Sequence, residues 1–343
     1  MLGCARGLRL FMRPNAGTQT PEVFYDQRHA RGWMDYWAQD KIDRVLNLIV
    51  SALPSAKATV LEYGCGTGVF TAALKAARPD LEVHGCDISP LGIQKARAGH
   101  SDIRFHLLTE AGAEPELPEP DVVYTHHVLE HVQDLEGTIA HIAHLVRPGG
   151  RVLHILPCGN SGSLEHNIAT LIANGVASDG TGLFSLDDIS HVRRLTSSDL
   201  EGVAARHGLV LERAFYANQF WGDIEYLSAQ LYWGLLGWLN PRKARSAVAA
   251  GQLLALLLVF LSLSVIRIMP PYILKTFRYK RRLWKAVAFW LLVVPSAVLY
   301  PISAAINRSL IVAREWEWRH HKERRNGGEM YLLFTRPFLH VQT

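Results

Sequence analysis

Val60-Leu61-Glu62-Tyr63-Gly64-Cys65-Gly66-Thr67-Gly68 is the stretch that decides the fold. A β-forming apolar run meets three glycines spaced two apart, and a helix-like apolar segment, Val69 to Ala77, follows. Glycines at this spacing let a strand turn sharply into a helix and let a ligand approach the backbone closely. Dinucleotide-binding turns read G-x-G-x-x-G and share only their first two glycines with this one. Here the third glycine comes one residue early, and an acid, Glu62, stands two residues before the first. A pyrophosphate seeks helix-terminal N–H groups and is repelled by a nearby anion. Glu62 therefore favours a ligand carrying positive charge, which it can assist through a water or a backbone link.

Working outward, Leu81 to Cys86 reads as a second strand ending in Asp87-Ile88-Ser89. Asp87 lies 19 residues after Gly68. An acid there, at the tip of the second strand, can accept hydrogen bonds from ribose hydroxyls. It can equally cap the helix starting near Pro90. Ile103 to Leu107 is a third strand, and Asp121-Val122-Val123-Tyr124 a fourth. Arg147-Pro148-Gly149-Gly150 closes a helix and opens a fifth, Arg151 to Leu156. Thr196 to Gly208 is a helix with an N-cap at Thr196 or Ser197, and Leu209 to Tyr216 a sixth strand. This alternation is that of a doubly wound parallel sheet.

The pattern E-x-G-x-G-x-G resembles motif I of the class I S-adenosylmethionine (SAM) methyltransferases. D-V-V-x-x-x-x-V-L-E-H-V at residues 121–132 and L-x-R-P-G-G-R-V-L at 145–153 are similar to segments of the small-molecule branch that includes ubiquinone and sterol enzymes. The resemblance covers roughly residues 20 to 217 and a last strand near the C-terminus. It implies SAM as the cofactor, held by Glu62, Gly64, Cys65, Gly66, Thr67, Gly68, Asp87, Ile88, Thr109, Glu110 and His126. In similar enzymes the segment before the first strand, here with Tyr25, Arg28, Arg31, Trp33, Tyr36 and Trp37, covers the cofactor. An ordinary aromatic packing face is the alternative. The family's seventh strand is antiparallel and adjacent to the sixth. Glu329 to Thr335, after Gly327-Gly328, is the candidate for it.

For catalysis, His127, His131 and His166 are the candidates, with His191 a further titratable group in the long connection after the fifth strand. No metal is expected. The nearest pattern is His127, Glu130 and His131 on one helix face, with His154 or His166 supplied later. It departs from the E-x-x-E-H of small-RNA 2′-O-methyltransferases, having His127 in place of the first Glu.

Charge is uneven. Of 36 Lys and Arg and 31 Asp and Glu, residues 225–325 hold 16 and 4, so the rest of the chain is acidic. An acidic catalytic part disfavours nucleic acid as a partner. Cys4, Cys65, Cys86 and Cys158 show no paired spacing, so neither a disulfide framework nor a C-x-x-C zinc site is implied. Arg6, Arg9 and Arg13 lack the apolar core of a secretory signal behind them.

Within the basic region, residues 246–266 and 286–307 are uncharged runs of membrane-crossing length. Pro295 and Pro301 should kink the second. Ile224 to Asn240, with Tyr226, Tyr232, Trp233 and Trp238, reads as an interfacial helix. Two full crossings would export the loop 267–285, which holds seven basic residues and no acid. That conflicts with the positive-inside rule. Entry into one leaflet, with basic flanks on anionic headgroups, is preferred.

The expected architecture is an α/β seven-stranded Rossmann-like sheet with β7 antiparallel and a hydrophobic helical insertion between β6 and β7. Its parts are an N-terminal helical cap (1–56), a SAM-binding domain (57–217 plus 329–343) and a membrane-associated insertion (218–328). The implied activity is methyl transfer to a lipophilic, membrane-delivered acceptor, with the catalytic domain facing the cytosol and membrane lipids as partners. A non-catalytic anchoring module and an RNA methyltransferase are the alternatives.

Overall fold

A computed structural model describes residues 20–33, 35, 37, 39–53, 57–108, 117–230, 232–277, 291 and 293–338. Seven strands run in the order β3-β2-β1-β4-β5-β7-β6. They are β1 Thr59–Tyr63, β2 Glu82–Asp87, β3 Arg104–Leu107, β4 Val122–His126, β5 Arg151–Pro157, β6 Val210–Ala217 and β7 Glu329–Thr335. The chain divides into two compact units, Met1–His126 with His144–Val152, and His127–Ala143 with Leu153–Thr343.

The first unit holds β1 to β4. Val60 sits opposite Val83 of β2 and Val122 of β4, both in parallel register. The connections are helices, α3 Val69–Ala77 and α4 Pro90–Gly99, as a parallel pair requires. β4 is buried along its whole length, which explains its unbroken apolar start. Ahead of β1 lie α1 Pro21–Ala30 and α2 Gln39–Ala52, the latter burying Ile42, Val45, Leu46 and Ile49 on one face. α5 Leu135–Leu145 follows β4 in the chain.

The second unit holds β6 and β7, antiparallel from Val210 opposite Thr335 to Ala217 opposite Glu329. The seventh strand therefore falls on the residues expected for it, and the helices between residues 217 and 329 interrupt this pair. α6 Leu164–Leu171 and α7 Ser197–Arg206 precede β6. Thr196 and Asp199 form a capping box at the start of α7. The expected interfacial helix resolves as two, α8 Trp221–Ser228 and α9 Tyr232–Trp238. Glu317 accepts the amides of Phe220 at 2.9 Å and Trp221 at 3.1 Å, anchoring the start of α8.

Two long helices follow, α10 Ala247–Phe277 and α11 Val294–His321, both long and apolar enough to cross a membrane. α10 runs past the first expected boundary, so Arg267 lies inside a helix and not in a loop. Residues 278–290 lie outside the described residues. Pro271 has no N–H for the carbonyl of residue 267. The Ser303 hydroxyl of α11 donates to that carbonyl instead, at 2.7 Å.

The two faces of α10 differ. Leu253, Leu257, Phe260, Ser264 and Arg267 are buried along one helical stripe. The first three form one core with Ile168 and Ile172 beside α6, and Leu227, Leu235 and Leu239 around α8 and α9. On the other face Leu254, Leu258, Val259 and Val265 are 47, 57, 60 and 51% exposed. On α11, Val298, Ile302 and Val312 are exposed likewise.

Candidate active site

The glycine loop lies in the first unit. Gly64, Gly66 and Gly68 all adopt positive φ, at 83°, 53° and 82°. At Gly68 an added Cβ would lie 2.9 Å from the Phe105 ring, and at Gly66 it would lie 3.1 Å from His29 Cε1. Conformation and space both demand glycine at these two positions.

Asp87 ends β2 and faces this loop. Its Oδ2 accepts the Gly66 amide and its Oδ1 the Ser89 amide, each at 2.8 Å. A carboxylate oxygen has a second lone pair, so both can still accept ribose hydroxyls. Ser89, not Asp87, caps α4, taking the Gly92 amide at 2.9 Å. Burial raises the Asp87 pKa, and the Ser89 and Gly66 amides oppose that rise. Ile88 is half-buried beside it.

Glu62 turns inward. Its Oε2 accepts the Thr71 hydroxyl and, at 2.9 Å, the Tyr124 hydroxyl, which ties β1 to α3 and β4. Burial pushes its pKa up to about 7. It braces the loop from behind. Cys65 packs with Ile93, Ala96, Ile103 and Phe105, so only its backbone is offered to a ligand. Thr67 donates to Asp35 at 3.1 Å. His126, the last residue of β4, has its ring 4.7 Å from Trp37 and 4.2 Å from Phe70. Thr109, Glu110 and Tyr36 lie outside the described residues.

Sequence reasoning missed two residues of this half. Asp26 of α1 accepts the Ser89 hydroxyl at 2.5 Å and the Leu91 amide at 3.0 Å, docking α1 on the start of α4. His29, one turn on, is buried against the glycine loop, and burial lowers its pKa against the pull of Asp87. The covering segment also packs its own aromatics, with Arg28 4.0 Å over Trp33 and Tyr25 5.9 Å from it.

The histidine-rich half lies in the second unit. Residues 127–131 form a turn and not a helix, so they share no helix face. His127 stands at φ 54°, in the left-handed region, so it is not itself a residue of a right-handed helix. Its Nδ1 lies 2.8 Å from Glu130 Oε1 and its Nε2 3.0 Å from Glu329 Oε1. Both nitrogens face oxygens that accept, so neither is placed to take a proton from an acceptor. Hydrogen bonding from His127 keeps the buried Glu130 ionised, its pKa below the usual value despite desolvation.

His131 contacts the Ser190 carbonyl through Nδ1 at 3.2 Å, and its ring meets the His191 ring at 4.8 Å. His191 Nδ1 lies 3.2 Å from Asp187 Oδ1. Arg194 donates to that same oxygen at 2.8 Å and grips both oxygens of Glu165, at 3.0 and 2.5 Å. His166 stands apart, its ring 5.7 Å from Phe184, over which the Arg194 guanidinium lies at 3.8 Å. His154 is wholly buried in β5 beside Phe334, and burial lowers its pKa to about 3. Neither His154 nor His166 joins Glu130 and His131; His191 does.

The family described as a methyltransferase domain matches residues 30–214, more than half of the chain. Trans-aconitate 2-methyltransferase of Methylobacterium radiotolerans is 30% identical over 179 residues, 52% of this chain and 62% of that protein. Ubiquinone biosynthesis O-methyltransferase of Xylella fastidiosa is 33% identical over 132 residues, 35% of this chain and 52% of its own. The chain thus spans less than two thirds of the length of these curated relatives. A putative sarcosine dimethylglycine methyltransferase from Galdieria sulphuraria aligns over 92% of this chain and 98% of its own, at 14% identity and a TM-score of 0.46. A family match over residues 30–214 joins the three-glycine turn, the β2 acid and the antiparallel last strand, and the chain belongs to the class I methyltransferase-domain family, whose cofactor is SAM.

Proposed function

We propose that this chain transfers the SAM methyl group to an oxygen or nitrogen of a lipophilic acceptor that it meets at a membrane. SAM supplies an electrophilic methyl on a sulfonium sulfur, and the leaving group is neutral. Positioning and exclusion of water then supply most of the rate. On the cofactor side, Asp87 and the glycine-loop amides orient the ligand, and α1 with His29 covers the loop. Among its curated relatives, those matched over a quarter or more of this chain are named for trans-aconitate and for ubiquinone biosynthesis, while those matched over 17–18% of it are named for ribosomal RNA.

The single observation that carries the membrane part is the two-faced α10. One face packs on α6, the helix bearing His166, and the opposite face exposes Leu254, Leu258, Val259 and Val265. A helix spanning lipid alone would not bury a continuous stripe against a catalytic helix. The arrangement favours entry into one leaflet, with the catalytic domain on the cytosolic side. His166, whose buried Nδ1 has no hydrogen-bond partner among the described residues, lies on α6, which packs on the buried face of α10. His166 is our candidate general base for a hydroxyl acceptor.

The test uses the full chain with methyl-labelled SAM and membranes from its own source. Label in an organic-phase product that needs both chain and membrane supports the reading. Label confined to the aqueous phase or to RNA, with intact SAM binding, overturns it.

A further inference from the structure

We infer that Glu130, His131 and His191 form a binding site for one divalent transition-metal ion. These residues each offer a donor atom, and the three atoms lie within 4.8 Å of one another. An ion held about 2.1 Å from each donor sets tetrahedral donors about 3.4 Å apart, so binding draws the three inward by up to about 1.4 Å. The inference does not rest on the proposed acceptor.

The orientation of each side chain argues for a cation and not for a hydrogen-bonded cluster. The Ser190 carbonyl can only accept, so the proton of His131 sits on Nδ1 and its Nε2 presents a lone pair. That Nε2 lies 3.8 Å from Glu130 Oε1, itself an acceptor. His127 already meets that Oε1 at 2.8 Å, which leaves Oε2 as the oxygen of Glu130 open to a cation. Glu130 adds a second acceptor, Oε2, buried and without a hydrogen-bond partner among the described residues. The residue is 1% exposed, so water does not readily satisfy it.

Metal-bound histidines almost always donate their other N–H to a carboxylate or a backbone carbonyl. Both forms occur here. His131 gives Nδ1 to the Ser190 carbonyl, and His191 gives Nδ1 to the Asp187 carboxylate. Arg194 fixes Asp187 in turn. His127 plays the same part for the acid, holding Glu130 Oε1 while itself held by Glu329. It is a positioning residue and not a ligand.

Two imidazoles and one carboxylate suit zinc, iron(II), manganese or cobalt, and not calcium or magnesium, which want oxygen. Three protein ligands leave coordination positions for water or for an acceptor oxygen.

The full chain, purified in detergent and stripped with chelator, is titrated with Co²⁺ and dialysed against Zn²⁺. One ion per chain is expected, with a visible cobalt spectrum of nitrogen and oxygen ligands and no thiolate band. His131→Ala, His191→Ala and Glu130→Gln should each weaken binding by about tenfold or more, and Asp187→Asn by about tenfold. His207→Ala, on the surface, should leave it unchanged. If the variants fail to fold, X-ray absorption of the zinc-loaded wild-type chain decides, through imidazole scattering. Absence of stoichiometric binding by the folded wild-type chain, sulfur in the shell, or wild-type affinity in His191→Ala would overturn the site.

Discussion

The carboxylate of Asp87 accepts the Gly66 amide at 2.8 Å, so the acid at the end of β2 holds the middle of the glycine loop it faces. In the proposed mode of SAM binding, ligand contact and loop shape depend on this one side chain. Asp87→Asn turns one acceptor into a donor, which then meets either the Gly66 or the Ser89 N–H. SAM affinity should fall by about 1–3 kcal/mol, the range for a lost charged hydrogen bond. Calorimetry measures it, and faster hydrogen exchange at the Gly66 amide should accompany it.

Glu62 makes stability depend on pH in an unusual direction for an acid. Its pKa is about 7 when folded, against roughly 4.3 unfolded. Between those values the folded state holds the proton more tightly. Its contribution is full below the unfolded value and is lost as pH rises through 7, about 4 kcal/mol in all. The buried His154 acts in the other sense, costing stability as pH falls below its ordinary value. Denaturant unfolding of wild type and Glu62→Gln at pH 5 and 8 separates the two. The variant should lack the loss on the alkaline side, while the His154 effect cancels in the comparison.

Arg267 pins α10 to its neighbours. It donates to the Glu225 carbonyl at 2.6 Å, to Asn307 at 2.7 Å and to Ser228 at 2.5 Å, and its guanidinium is 3.5 Å from the Glu225 carboxylate. Arg267→Met should destabilise the second unit by about 3 kcal/mol, the cost of breaking a buried charged pair. A double-mutant cycle with Glu225→Gln in detergent should show coupling well beyond about 0.5 kcal/mol, the scatter for independent sites.

The exposed face of α10 can be altered without touching its buried stripe. Leu254→Gln with Leu258→Gln should remove roughly 2 kcal/mol of apolar transfer per residue. Vesicle flotation should then show loss of membrane binding, with SAM affinity unchanged. Deleting residues 218–328 is a poorer test, because it would strip Leu253, Leu257 and Phe260 from Ile168 and Ile172.

What could be read beforehand was what local pattern encodes. The glycine spacing, the short apolar strands and the turn at Gly327-Gly328 located the sheet, Asp87 and β7 to within a residue or two. The contacts around the histidines left no such trace. Glu329 meets His127 across 202 positions, and His131 meets the Ser190 carbonyl across 59. No periodicity marks pairs of that kind. Reading residues 127–131 as helix misled the choice of partner, since the left-handed His127 makes a turn and aims His131 at His191. Asp26 and His29 were missed because α1 is only weakly patterned and shows its role through packing on α4.

The placement of β7 has a consequence for the order of synthesis. β6 is complete at Ala217, yet among the described strands its partner is β7, which begins at Glu329. A ribosome must deliver the whole apolar stretch between them before the sheet can close. Until then β6 presents an open edge, while the outer faces of the emerging helices stay uncovered. Nascent chains stalled between these strands should be the most prone to aggregate, and a bilayer at the exit site would shelter α10 and α11 during that interval.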